Sequence, residues 1–325
     1  MIFQNIDFHN VEYIRQEGDS WRLFRYPMSV MEGLDTGEDI AEFSTGIELR
    51  FKMKSDEVVL YFKAEPLDEA QVIYIYFGNF QGGFYCSAKA ILTEKTEIRI
   101  PYPKNMEWMK KISKEYNLPF NPEVVRVVIP YGKNLYMGME GEVEVPAKED
   151  YPEKTYLAYG SSITHGSLAL AAPYSYPFQI SQKLSCDYVN LGMPGSARFE
   201  KCVAEYIVNR KDWDFLSLEI GINMLKDFDE AAFEERVKQF LEIIAADSRP
   251  VFVTSVFRYE GEGQERGKHF REIVKKYATD RFVFTDGLEL LDCPYHLAED
   301  MVHPSLEGIR GIADKWSEIM KEKLF

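Results

Sequence analysis

The chain has 325 residues and sets 38 Lys and Arg against 53 Asp and Glu, a formal net charge of −15. Nucleic acids and anionic lipid surfaces are held by clustered positive charge, so this balance excludes a broad surface for either. A content of 46% hydrophobic and 28% charged residues belongs to a packed globular chain rather than a disordered one. At about 150 residues per domain, the length suggests two domains. No stretch approaches the roughly 18 uninterrupted apolar residues that cross a bilayer. The start, with Asp7 and Glu12 among polar residues, lacks the basic end and apolar run of a secretory signal. Cys86, Cys186, Cys202 and Cys293 are far apart and show neither a CxxC pair nor zinc-like spacing. The expectation is a cytoplasmic protein with free thiols, no metal and no cofactor, acting on a small molecule or carbohydrate rather than on nucleic acid or membrane. Its oligomeric state is open.

Taken in chain order, the first half reads as strands. Residues 47–53 alternate apolar with polar, Val58 to Phe62 is a short apolar run, and residues 71–77 are rich in β-branched and aromatic side chains. Further strands are predicted at Ile98–Ile100, Val124–Ile129 and Val143–Val145, punctuated by Gly82-Gly83, Pro101, Pro103 and Pro130-Tyr131-Gly132. One helix is predicted around Met106 to Tyr116. Short runs with frequent turns imply antiparallel sheets around a buried layer, most economically a β-sandwich. The pattern lapses near Glu149, so residues 1–149 and 150–325 are expected to form separate domains.

From Tyr156 the character changes. Apolar strands at Tyr156–Tyr159, Tyr188–Leu191, Phe215–Ile220, Val251–Val256 and Phe282–Thr285 alternate with helical stretches. The helices are placed near Tyr176–Leu184, Phe199–Val208, Glu230–Ala246, Glu265–Tyr277 and Leu306–Leu324. Such alternation implies a parallel sheet covered on both faces. Ligands of open α/β sheets bind beyond the carboxyl ends of the strands. Four segments lie there: Gly160-Ser161-Ser162-Ile163-Thr164-His165-Gly166, Asn190-Leu191-Gly192-Met193-Pro194-Gly195, Gly221-Ile222-Asn223, and Asp300-Met301-Val302-His303-Pro304. Each alone is weak, since a serine or asparagine at a strand end is more often a cap or turn residue. Together they supply a nucleophile, an amide donor, a side-chain donor and an acid–base pair.

These four blocks resemble those of the SGNH/GDSL hydrolase superfamily, closest to bacterial GDSL-like acylhydrolases with a GSSIT first block and an N-terminal β-sandwich. The resemblance covers the chain from about Thr155 onward. It implies a flavodoxin-like three-layer α/β/α hydrolase domain behind a jelly-roll-like sandwich, with a serine esterase activity that uses a Ser-His-Asp triad and an acyl-enzyme. Ser162 would be the nucleophile, His303 the base and Asp300 the acid behind it. The oxyanion hole would consist of the Ser162 and Gly195 amides and the Asn223 carboxamide. By the same resemblance the acyl group is short and the alcohol a carbohydrate or another small alcohol.

The residue types suit those roles. Serine needs a base to take its proton. A carboxylate three residues before His303 is close enough to orient the imidazole, and the charge built on the carbonyl oxygen needs preformed donors. Two positions depart from the family pattern: Ser161 stands where Asp is usual, and Met224 follows Asn223 where Asp is usual. His296 and Asp286 are the alternative base and acid. His165 either lines the pocket or caps the turn. Arg198 and Arg258 either contact the substrate or form surface salt bridges. Glu219, in an otherwise apolar strand, needs a partner if buried. Two other activities are compatible with the same blocks: an acyltransferase using the same triad, and a carbohydrate-binding protein with a relict hydrolase domain.

Overall fold

The computed structural model describes residues 1–68 and 70–325. Its N-terminal half forms two antiparallel sheets. One runs in the order Ile2–Phe3, Ile6–His9, Glu48–Met53, Val124–Val128, Val72–Phe77 and Phe80–Gln81, with Val143–Glu144 and Ala88–Ala90 paired at its sides. The other runs Thr96–Pro101, Glu57–Ala64, Asn134–Glu140, Ser20–Phe24 and Tyr13–Glu17. Alternate residues of each sheet meet in one core: Leu49, Phe51, Ile75, Val125 and Val127 from the first pack with Leu60, Phe62, Ile98 and Tyr136 from the second. A helix at Met106–Glu115 interrupts the strands, where the sequence placed one.

The first sheet is covered on its other face as well. Leu49 and Phe51 point into the sandwich, so Glu48 and Arg50 point away from it, and there they are buried against the C-terminal half. Arg126 lies directly across from Arg50 in the ladder. Two cationic side chains in that position need carboxylates. Glu48 takes Arg126 Nη2 at 2.6 Å and Nε at 2.8 Å, and also Arg50 Nε at 2.8 Å. Both Arg50 terminal nitrogens donate to Asp187, each at 2.6 Å, and Asp187 opens the second strand of the C-terminal sheet. Burial opposes the charge on Glu48, yet Arg126 and Arg50 outweigh it and hold the carboxyl at about 2. Asp187 is held below the carboxylate range in the same way, with Arg50 as the main counterweight to burial.

Arg50→Met is therefore expected to destabilise the protein by about 3–5 kcal/mol, because it leaves Asp187 buried without its partner. The sign with pH follows from the lowered carboxyls. Their contribution is present above the unfolded value of 4.5 for Glu48 and is lost as pH falls toward about 2. Denaturant midpoints at neutral and acid pH measure this: the difference between wild type and variant should shrink in acid.

The C-terminal sheet is parallel, in the order Asp187–Asn190, Thr155–Tyr159, Phe215–Glu219, Val251–Thr254 and Val283–Thr285. Strand residues alternate between two helical layers. Leu157, Leu216, Leu218 and Val253 meet Val203, Phe233, Phe240 and Phe270 from Lys201–Asn209, Glu230–Ala245 and Gln264–Tyr277. Tyr156, Phe215 and Phe252 meet Phe178, Ile309, Ile312 and Trp316 from Tyr176–Lys183 and Leu306–Leu324. The result is a flavodoxin-like three-layer arrangement. Its first strand lies between the second and third, so the crossovers diverge there and a crevice opens beyond the strand ends. No described helix is long and apolar enough to cross a membrane.

Candidate active site

At the end of the first parallel strand, Gly160 and Ser161 turn the chain into a one-turn helix, Ser162–His165. Ser161 is its cap: the Oγ accepts from the Ile163 N–H at 3.1 Å. An aspartate cap would do the same, which accounts for serine at a position where the family usually has Asp. The loop after the second strand lies hard against this helix. A Cβ on Gly192 would sit 2.2 Å from the His165 nitrogen, so only glycine fits. Asn190 ties the two together, donating to the Thr164 carbonyl at 2.8 Å and accepting from the Gly192 N–H at 2.8 Å.

Gly195 differs from what crowding would require. Nothing lies within 4 Å of a Cβ built there, and it is the φ of +66° that favours glycine. Two residues on, the Ala197 N–H donates to Asn223 Oδ1 at 3.1 Å. That bond directs the carboxamide oxygen toward the loop, and Asn223 lines the cleft. Met224 is buried in the core between sheet and helices, so the second departure from the family pattern lies outside the cleft.

The fourth block folds into a tight loop before the last helix. Asp300 Oδ1 accepts the backbone N–H groups of Val302 at 3.0 Å and His303 at 2.9 Å. Its Oδ2 lies 2.6 Å from His303 Nδ1. A carboxylate only accepts, so Nδ1 carries the proton and Nε2 is left as the acceptor. His303 Nε2 lies 2.7 Å from Ser162 Oγ. Partial burial works against the Asp300 charge, but the Val302 N–H, the imidazole and the His303 N–H together hold it below the usual carboxylate range. A cleft of about 650 Å³ brings Ser162, Gly195, Asn223, Asp300 and His303 together.

The other candidates lie elsewhere. Arg198 pairs with Asp227 at 2.5 Å and Arg258 with Glu260 at 3.3 Å, and neither lines this cleft. Asp286 caps its own short helix through the Leu288 N–H at 2.8 Å, and His296 packs on Tyr295. His165 does not cap with its ring. It is buried between Phe43 and Tyr131, and neither ring nitrogen has a hydrogen-bond partner among the described residues. Burial, with Arg25 nearby, holds the imidazole well below the ordinary histidine value. It lines a second recess of about 230 Å³ that shares Ser167 and Pro194 with the cleft.

Sequence reasoning did not reach Tyr259, Glu260, Glu262 and Lys226 as cleft-lining residues. Their place after the third and fourth strands was the available signal. It also left Glu219 without partners. The structure supplies them: Glu219 Oε2 accepts from the Ser161 N–H at 2.6 Å and the Thr164 hydroxyl at 3.1 Å. Burial raises this carboxyl to about 7.

A parallel sheet in this order, with serine, glycine, asparagine and histidine gathered beyond successive strand ends, is the layout of an SGNH-type serine esterase. The chain belongs to the GDSL-like lipase/acylhydrolase family, whose model matches residues 153–321, just over half its length. Among solved structures it is similar to the salicylyl-acyltransferase SsfX3 from a tetracycline biosynthetic pathway, at 15% identity over 99% of this chain and 96% of that one, with a TM-score of 0.76. It is also similar to a GDSL-like lipase from Bacteroides ovatus, at 16% identity over 98% and 97%, TM-score 0.65. An acetyl xylan esterase from the rumen bacterium Butyrivibrio proteoclasticus matches at 12% identity over 86% and 90%, TM-score 0.56. At these identities the likeness shows the fold, and in the first two cases it spans the N-terminal sheets too. No curated protein matches the chain.

Proposed function

We propose that the protein hydrolyses a carboxylic ester, a short acyl group on a carbohydrate or other small alcohol, through an acyl-Ser162 intermediate. The observation that carries this reading is the run of hydrogen bonds from Ser162 Oγ through His303 to Asp300 at the floor of the cleft. Ser162 Oγ attacks the carbonyl carbon while its proton passes to His303 Nε2. The oxyanion so formed is met by the Ser162 and Gly195 amides and Asn223 Nδ2. As the C–O bond breaks, His303 returns the proton to the leaving alcohol. Water then attacks the acyl-enzyme, giving its proton to Nε2. Collapse releases the carboxylic acid and restores the Ser162 hydroxyl. Asp300 fixes the tautomer and stabilises the imidazolium throughout.

In this reading residues 150–325 are the catalytic domain and residues 1–149 an accessory domain that helps position substrate. Phe43, Leu67, Asp68 and Tyr131 of the N-terminal half wall the recess beside the cleft, which supports that division. The carbohydrate alcohol is supported by the similar folds of an acetyl xylan esterase and of a family two carbohydrate esterase from Clostridium thermocellum in complex with cellohexaose. Likeness to an acyltransferase over nearly the whole chain supports a second reading, transfer of the acyl group to another alcohol.

An organophosphonate ester is expected to label Ser162 stoichiometrically, read by mass spectrometry, because binding alone activates no serine. Acetylated sugars should then be turned over faster than long-chain esters. Absence of a Ser162 adduct would refute the enzyme reading in favour of a binding protein. An added acceptor alcohol that diverts product from free acid to a new ester would favour the transferase.

A further inference from the structure

The turn carrying Ser162 is held from beneath by a residue with no part in the chemistry proposed above. Glu219 ends the central strand Phe215–Glu219 and is fully buried. Among the described residues it has no ion-pair partner, and its Oε1 has no hydrogen-bond partner. A carboxyl so placed is costly to bury. Among the described residues its side-chain hydrogen bonds go to the first block. One oxygen, Oε2, takes the Ser161 N–H at 2.6 Å and the Thr164 hydroxyl at 3.1 Å. The nucleophile sits between the two residues so held.

The contact is closely built. A Cβ on Gly160 would lie 2.6 Å from Glu219 Oε2 and 2.3 Å from Thr164 Oγ1, so glycine there lets the strand end close on the turn. Thr164 is itself held from the far side by the Tyr176 hydroxyl at 2.6 Å. Ser161 is doubly fixed, its N–H by Glu219 and its Oγ by the Ile163 N–H. The Ser161 carbonyl also accepts from the His165 N–H at 2.9 Å, so with both sides of Ser161 held the Ser161–Ser162 peptide has little freedom to rotate. That peptide sets where Ser162 Oγ lies relative to His303, and its N–H is one of the three donors proposed for the oxyanion.

Resting on the esterase reading, we propose that Glu219 is a positioning residue: its carboxyl clamps the Ser161–Thr164 turn so that the Ser162 hydroxyl and amide are both aimed at the reacting carbonyl. The clamp acts through an accepting oxygen rather than through a charge delivered to the substrate. Glutamine, which keeps that oxygen, should largely replace it, and alanine should not. Misplacing a reacting group by about 1 Å costs on the order of a hundredfold in rate. The loss belongs in kcat, since Glu219 lies beneath the turn and does not line the cleft.

The test compares wild type, Glu219→Ala and Glu219→Gln by steady-state hydrolysis of an activated acetate ester, by the rate of Ser162 labelling with an organophosphonate, and by thermal melting. Glu219→Ala should lower kcat and the labelling rate by roughly ten- to a hundredfold with KM little changed. Glu219→Gln should recover most of both. Wild-type kcat and labelling rate in folded Glu219→Ala, whatever its melting temperature, would overturn the clamp and leave Glu219 a structural residue. If the alanine variant does not fold, Thr164→Val removes one anchor while keeping the side-chain shape. Reduced kcat at constant KM then supports the proposal, and unchanged kcat overturns it. The labelling rate needs no substrate, so it judges the clamp even if no ester is hydrolysed, an outcome that would count against the esterase reading alone.

Discussion

Ser162→Ala is expected to abolish hydrolysis of an activated acetate ester, with kcat falling by on the order of 10⁴–10⁶, the scale seen when a triad nucleophile is lost. His303→Ala should fall as far, and the double variant hardly further, because the two groups act as a unit. Stability should change by no more than about 1 kcal/mol in Ser162→Ala, since one hydrogen bond is lost and its partner, His303, is partly exposed. As the base, His303 accepts the serine proton at Nε2. Asp300, held below the ordinary carboxylate range, stays charged into mild acid. Glu219, raised to about 7, takes up a proton as pH falls through neutral. A fall in activity over that interval that disappears in Glu219→Gln belongs to Glu219. Near-wild-type kcat in Ser162→Ala would remove the nucleophile assignment and with it the acyl-enzyme.

How much of this was legible in the sequence depended on what each residue faces. The parallel half was read nearly to the residue: strands such as Val251–Thr254 are buried throughout and appear as short apolar runs, while helices such as Glu230–Ala245 start at a capping aspartate, Asp229. The four site blocks followed from strand order, because the crevice lies where the strands end. The N-terminal half was harder. Ile6–His9 and Ser20–Phe24 are strands, but Asp7, His9 and Arg22 break the apolar pattern. His9 donates to the Tyr188 carbonyl at 2.6 Å across the contact with the C-terminal half, and Arg22 pairs with Glu17 at 2.8 Å. Tyr188 belongs to the other half, and Arg22 also reaches Glu65, 43 residues on, so local periodicity carried no sign of either. Glu219 drew notice as a misfit within a strand, yet its partners lie 55 and 58 residues away and emerged only with the fold.

Asn223→Ala tests the oxyanion hole separately from the triad. The carboxamide has two jobs on opposite sides. Its oxygen accepts the Ala197 N–H at 3.1 Å and so braces the loop that carries Gly195. Its nitrogen is proposed to donate to an oxygen whose charge is full only in the tetrahedral intermediate. Losing that donor should lower kcat on the order of 10²–10³ with little change in KM, because the contact belongs to the transition state. Losing the brace alone should cost about 1 kcal/mol of stability and leave turnover near normal in the folded fraction. Alanine removes both, so a second variant separates them. Asn223→Asp keeps an oxygen for the Ala197 N–H and replaces the donor with another acceptor, which would oppose a developing oxyanion. It should therefore preserve the melting temperature better than Asn223→Ala while lowering kcat at least as far. Measured kcat, KM and denaturation midpoints on the two variants give the answer. If Asn223→Asp instead turns over near the wild-type rate, no donor is needed at this position, and Asn223 serves only to hold the loop in which Gly195 lies.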